Sequence, residues 1–192
     1  MSDIKMSLVV VVKDDGPNLE ALPNVNYIQV FLDSLKDQTF KDFEVIISDG
    51  IFEKRKAWLA NIAKQYSFPI THCSQSPDYW FDNGYYAVCN AQNKGLAHAR
   101  GKMGLTFGGG LKFLNNDCLQ LYYEWFEKGF LAQGIFMGYD ANGWMGKDQI
   151  DSRARFIKED VRYYVHHWGD MFYGCSAFPI EGMWKLNVYD QM

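Results

Sequence analysis

The chain has 192 residues, 48% of them hydrophobic and 17% aromatic, enough apolar material to bury a core and to exclude a disordered tail. Its 19 basic and 23 acidic residues leave a net charge of −4, the wrong sign for a protein that neutralises the phosphates of duplex nucleic acid. The most apolar early stretch, residues 8–12, is closed at once by Lys13, Asp14 and Asp15, far short of the ~18–20 residues of a bilayer span and too short for a signal-peptide core. A cytoplasmic, single-domain protein over residues 1–192 is the expectation that follows.

Residues 8–12 form a continuous β-branched run bounded by charges, which predicts a strand buried on both faces of a parallel sheet. Ile28, Phe31, Leu32 and Leu35 recur at helical spacing, with Asp33, Lys36 and Asp37 on the opposite side. Residues 43–47 predict a second buried strand, and the strand–helix–strand order implies a right-handed parallel crossover with Asp49 at its carboxyl end. Trp58, Leu59, Ile62, Ala63 and Tyr66 mark another helix, stopped by Pro69 before a short strand at residues 70–73.

Residues 89–100 predict a helix with Ala91, Gly95 and Ala99 at four-residue steps, a stripe of small residues that permits close packing, and with Gly101 in the left-handed position beyond its end. Residues 103–107 are the next strand, weakened inside by Gly104 and followed by Gly108, Gly109 and Gly110. Cys118, Leu121, Tyr122, Trp125 and Phe126 mark an aromatic helix, with Asn116 or Asp117 as its cap and Gly129 past its end. Beyond it the pattern loosens through a charged segment, 147–162, into an aromatic run at 163–168. The four cysteines, Cys73, Cys89, Cys118 and Cys175, have neither metal-binding nor disulfide-framework spacing and read as buried thiols. His72 beside Cys73 does not make a metal pair, because neighbours on a strand face opposite ways.

Ligands of open parallel sheets bind at the carboxyl ends of strands, which directs attention to Lys13 to Asp15, to Asp49 and Gly50, and to the three glycines. The loop after the first strand lacks the glycine pattern of a dinucleotide site, and Gly110 is followed by Leu111 and Lys112 rather than by the Lys and Ser or Thr of a P-loop. A phospho-receiver arrangement would put its acceptor at the third strand, whereas Asp49 ends the second.

The stretch Asp33-Ser34-Leu35-Lys36-Asp37-Gln38-Thr39-Phe40-Lys41-Asp42-Phe43-Glu44-Val45-Ile46-Ile47-Ser48-Asp49-Gly50 resembles the signature of family 2 glycosyltransferases, nucleotide-sugar-dependent enzymes of the GT-A fold. A second block, Asn90-Ala91-Gln92-Asn93-Lys94-Gly95-Leu96-Ala97-His98-Ala99-Arg100-Gly101, is similar to the family's helix before the central strand. A weaker third runs from Tyr173-Gly174-Cys175-Ser176 to Asn187-Val188-Tyr189-Asp190. The resemblance implies an α/β, GT-A-like single domain, a mainly parallel central sheet flanked by helices, that holds a UDP- or GDP-linked sugar at its strand ends.

By the same resemblance, Val12, Lys13 and Asp14 line the base pocket, and Asp49, expected past its strand and outside the core, accepts a hydrogen bond from base or ribose. Gln92, Asn93, Lys94, Gly108 and Gly110 complete the nucleotide-sugar site. Relatives hold Mg²⁺ or Mn²⁺ with an Asp-x-Asp motif after the central strand. Here Gly108-Gly109-Gly110 stands in that place, so no metal is expected, and Lys94, Arg100 and Lys112 are the cations available to offset diphosphate charge. The family's acidic general base falls beyond Met192, and Asp190 comes too early to be it, which suggests a C-terminally truncated domain. The expected function is glycosyl transfer to an unknown acceptor, or a form that has lost it. The competing class is a non-catalytic nucleotide-sugar or glycan-binding module, and the aromatic segment 163–184 adds the prospect of self-association.

Overall fold

The computed structural model describes residues 4–12, 27–75, 88–108, 112–113, 115–130, 139–140, 143–144, 155–156, 164–165 and 176–185. Strand β1 (Met6–Val12) is followed by helix α1 (Tyr27–Lys36), β2 (Phe43–Asp49), α2 (Phe52–Ile62), β3 (Ile70–Ser74), α3 (Val88–Leu96), β4 (Met103–Gly108) and α4 (Cys118–Glu127). Four two-residue strands come next, β5 (Tyr139–Asp140) paired with β6 (Gly143–Trp144), and β7 (Arg155–Phe156) paired with β8 (Tyr164–Val165). Strand β9 (Ser176–Pro179) and helix α5 (Ile180–Lys185) complete the described elements. The main sheet has the order β3-β2-β1-β4-β9, parallel except for β9, which runs antiparallel to β4. This is the α/β architecture, a mostly parallel sheet flanked by helices, that the alternation of runs predicted.

The period-two alternation of buried strands divides the core between the two sheet faces. On one face Leu8, Val10, Val45, Ile47, Leu105 and Phe107 pack with Phe31 and Leu32 of α1, Leu59 of α2 and Leu119 of α4. On the other, Val9, Ile46 and Cys73 pack with Leu96, Phe178 and Ile180. Helix α3 lies close on this second face. A Cβ on Gly95 would collide with Val9 Cγ1, and Ser48 Oγ donates to the Ala91 carbonyl at 2.7 Å, so Ala91 and Gly95 give the close packing that the spacing predicted, while Ala99 lies beyond the helix.

Four sequence expectations change in detail. Helix α3 ends at Leu96, not at residue 100, and Gly101 is not left-handed; it is small because a Cβ there would meet the Met6 and Ser7 backbone at 2.8 Å. Helix α2 begins at Phe52, well over a turn before Trp58, the first residue of its apolar pattern, and ends in a 3-10 turn at Ala63–Gln65. Asp117 is the N-cap of α4 but its side chain makes no capping bond; Gln38, buried at the end of α1, accepts the Leu119 N–H at 3.1 Å instead. Gly104 does not leave a gap in β4, since the ring of Phe178 on β9 covers it so closely that a Cβ would lie 2.6 Å from Cε2. Gly129 does take the left-handed conformation past α4, at φ +83°. No helix among the described residues is long and apolar enough to cross a membrane.

Candidate functional site

The carboxyl ends of three strands lie side by side, with Val12 opposite Asp49 and Val11 opposite Gly108. From β1 the chain builds outward to β2 and β3, then crosses back through α3 to place β4 on the other side of β1. The reversal makes β1 and β4 the topological switch point, where an open α/β sheet leaves a crevice because successive connections part to opposite directions. Val12 and Gly108 stand at its two sides.

Asp49 is the last residue of β2, as the sequence indicated, but it is not outside the core. Its side chain has no exposed surface. Oδ1 accepts the Ile51 N–H at 2.9 Å and the Arg55 guanidinium at 2.9 Å, while His72 Nε2 meets Oδ2 at 3.0 Å. Burial is tolerated because a carboxylate whose oxygens are met by a cation and by N–H donors keeps most of what it loses from water. The His72 ring also stacks on Phe52, with centroids 4.5 Å apart. His72 and Cys73 face opposite sides of β3, and among the described residues no cluster of His, Cys, Asp and Glu is arranged to hold a metal ion.

Next to Asp49, Gln75 follows β3 and turns its buried amide across the strand ends. Nε2 donates to the Val12 carbonyl at 3.0 Å and to the Ser48 carbonyl at 2.6 Å, and the Gln75 backbone N–H donates to the Asp49 carbonyl at 3.2 Å. The Val12 carbonyl also receives the Gly50 N–H at 2.9 Å.

The remaining predicted residues divide clearly. Lys13, Asp14 and Gly110 lie outside the described residues, and Gly108 ends β4. Gln92, Asn93 and Lys94 sit on α3, whose amino end faces the strand ends by the direction of the crossover. Lys94 lies toward the β3 side, where its charge acts on the Cys73 thiol. Burial pushes that thiol up, Asp49 adds to the rise, and the Ser48 hydrogen bond and Lys94 partly oppose it. Cys89 and Cys118 are half-buried rather than buried, although all three described cysteines are free thiols as expected.

Arg100 cannot serve a diphosphate at the strand ends. It lies at the amino end of the sheet, where Nε and Nη2 donate to Glu44 Oε2 at 2.8 and 2.6 Å. Lys112 is exposed. Arg55, His72 and Gln75 were not among the predicted site residues. Arg55 and Gln75 had only their positions as signals, one on the first turns after the Asp49 loop and one directly after a strand.

No family model and no curated protein matches the chain. Solved structures do. S. aureus TarS 1-349 in complex with UDP aligns with a TM-score of 0.60 and 15% identity over 96% of this chain and 49% of that one. A mannosyltransferase from Pyrobaculum calidifontis, in complex with GDP-Man and Mn²⁺, aligns with a TM-score of 0.59 and 14% identity over 97% of this chain and 48% of its own. A third is 4-diphosphocytidyl-2C-methyl-D-erythritol synthase from Anaerococcus prevotii, with a TM-score of 0.53 and 14% identity over 95% of this chain and 73% of that one. The chain spans about half the length of the first two. The fold is GT-A-like. It is a glycosyltransferase-like fold, and at these identities the likeness concerns the fold alone.

Proposed function

We propose that the chain is the nucleotide-sugar-binding domain of a family 2-like glycosyltransferase, taking a UDP- or GDP-linked sugar at the carboxyl ends of β1, β2 and β4. The observation that carries this reading is the sheet order β3-β2-β1-β4, whose reversal of direction falls between β1 and β4, the place where ligands of open α/β sheets bind. Val12, Lys13 and Asp14 line the base side, and Gly108 and Gly110 bring main chain to the diphosphate. Gln92 and Asn93 approach from α3. Asp49 contributes by ordering the turn at Ile51, Arg55 and His72, since its own oxygens already accept from all three.

The Asp-x-Asp metal of relatives does not fit this chain, because Gly108 and Gly110 carry no carboxylate. That same substitution favours a second reading, a nucleotide-sugar-binding module that does not transfer. Titration calorimetry with UDP and GDP, with Mn²⁺ and with EDTA, tests the first proposal; the expected result is binding that barely responds to either. Failure to bind any nucleoside diphosphate would overturn it, and a large loss on chelation would reveal a metal site elsewhere. Release of UDP or GDP from a nucleotide sugar on incubation with candidate acceptors would exclude the non-catalytic reading.

A further inference from the structure

We infer that Gln75 is a positioning residue for the nucleotide site: its buried amide clamps the carboxyl ends of β1 and β2 together and so fixes the exit of β1 at Val12. This deepens the function proposed above and rests on it for the ligand, though not for the clamp.

The two carbonyl oxygens at 3.0 and 2.6 Å settle which end of the amide is which. Only the NH₂ group can donate to both, and its two hydrogens match the two acceptors, Val12 on β1 and Ser48 on β2. The Val12 carbonyl takes the Gly50 N–H from β2 and the Gln75 amide as a second donor, using both lone pairs, while the same amide reaches the Ser48 carbonyl one residue before the end of β2. Gln75 makes these bonds from the connection after β3, and its backbone N–H reaches the Asp49 carbonyl as well.

The clamp is shared with Asp49. Gly50 N–H and the Gln75 amide converge on the single Val12 carbonyl, while the Asp49 side chain, one residue before Gly50, holds the Ile51 turn, Arg55 and His72. One node therefore joins the exits of β1, β2 and β3. A binding site whose walls are main chain and loop needs such a support, because displacement of about 1 Å is enough to lose a productive geometry.

The test uses isosteric replacements in the full chain. Gln75→Glu keeps the shape but sets a carboxylate oxygen against two carbonyls, and Gln75→Met removes the donors. Both are expected to weaken UDP binding tenfold or more in calorimetry. Without ligand, amide hydrogen exchange should quicken at Gly50 and in the residues just after Val12, and remain unchanged at the amino end of the sheet. Gln75→Asn, which keeps the amide but withdraws it by one methylene, is expected to fall between wild type and Gln75→Met in both readouts. Variants that are less stable yet bind UDP as wild type does, or whose exchange rises uniformly, would overturn the inference and leave Gln75 a purely structural residue. If the wild-type chain binds no nucleotide while Gln75→Met still quickens exchange only at those strand exits, the proposed function fails and the clamp stands. Should Gln75→Glu not fold, Gln75→Met and Gln75→Asn decide.

Discussion

Strand β2 carries two buried carboxylates, each held by an arginine, and only one of them is near a candidate site. Glu44, at the amino end, faces α3 and accepts Ser7 Oγ–H at 2.8 Å, the Arg100 backbone N–H at 2.8 Å and the Arg100 guanidinium. Asp49, at the carboxyl end, faces α2 and accepts from Ile51, Arg55 and His72. The chemistry is the same, a carboxylate with charge-assisted hydrogen bonds, and the direction of the strand separates the roles. At the amino end the pair knots the chain after α3 onto the starts of β1 and β2, with Ser7 Oγ also accepting the Gly101 N–H at 2.9 Å. At the carboxyl end it supports loops that leave the sheet where ligands of such folds bind. A buried ion pair is thus no marker of function until topology says which end it occupies.

The two ends also differ in solvent. The Arg55 side chain is 13% exposed and that of Arg100 58%, so the two pairs should answer truncation unequally. Asp49→Ala leaves a cation in the interior, and a loss of about 3–5 kcal/mol in urea denaturation is expected. A loss below about 1 kcal/mol would mean the pair is effectively hydrated. Glu44→Ala releases a guanidinium that water can reach but strands the Ser7 hydroxyl and takes the main acceptor from the Arg100 backbone N–H, for an expected loss of about 2–3 kcal/mol. UDP affinity should stay at the wild-type level, and a change there would erase the functional distinction between the ends.

Smaller effects sharpen the contrast. Gly101→Ala should cost about 1–3 kcal/mol, since the backbone of Met6 and Ser7 stands within 2.8 Å of the new methyl group and cannot give way as a side chain would. Adding charge at the carboxyl end should alter binding rather than folding. Gly108→Asp with Gly110→Asp is expected to make UDP binding tighten with Mn²⁺ by about 1 kcal/mol, a carboxylate pair being what a divalent ion needs beside a diphosphate. A double variant that folds, binds UDP and ignores Mn²⁺ would show that this loop does not meet the diphosphate.

The least change at neutral pH is expected at Tyr66, away from both ends. Burial, with Asp33 beside the hydroxyl, pushes it up to about 12, and Tyr66 Oη donates to Asp33 Oδ1 at 3.1 Å. The folded chain keeps this proton longer than the unfolded one, so the contribution is whole below about pH 10 and is lost as pH rises toward 12. Tyr66→Phe should flatten that part of the difference in stability across an alkaline denaturation series.

Local pattern carried much of this fold. Runs such as residues 8–12 and 43–47 are buried on both faces, and a chain that alternates them with amphipathic helices has few ways to bury them other than a parallel sheet. Ala91 and Gly95 announced close packing because absence of bulk at one helix face is visible in one dimension. Strand β9 was not foreseen. It is four residues long, ends in Pro179 and owes its place to pairing with β4 from the far side of the chain.

The strand-end positions Val12, Asp49 and Gly108 were legible because strand ends can be counted along the chain. What each does there was not. The sequence by itself determined the class of fold, which follows from hydrophobic periodicity and connection order, and from it the carboxyl ends of the strands as the place to expect a site. Only the tertiary structure decided that Asp49 is enclosed by Arg55 and His72, that Arg100 belongs to the opposite end, and that Gln75 ties β1 to β2. Gln75 and Val12 are separated by 63 residues, and a hydrogen bond over that distance leaves no period or motif in the sequence.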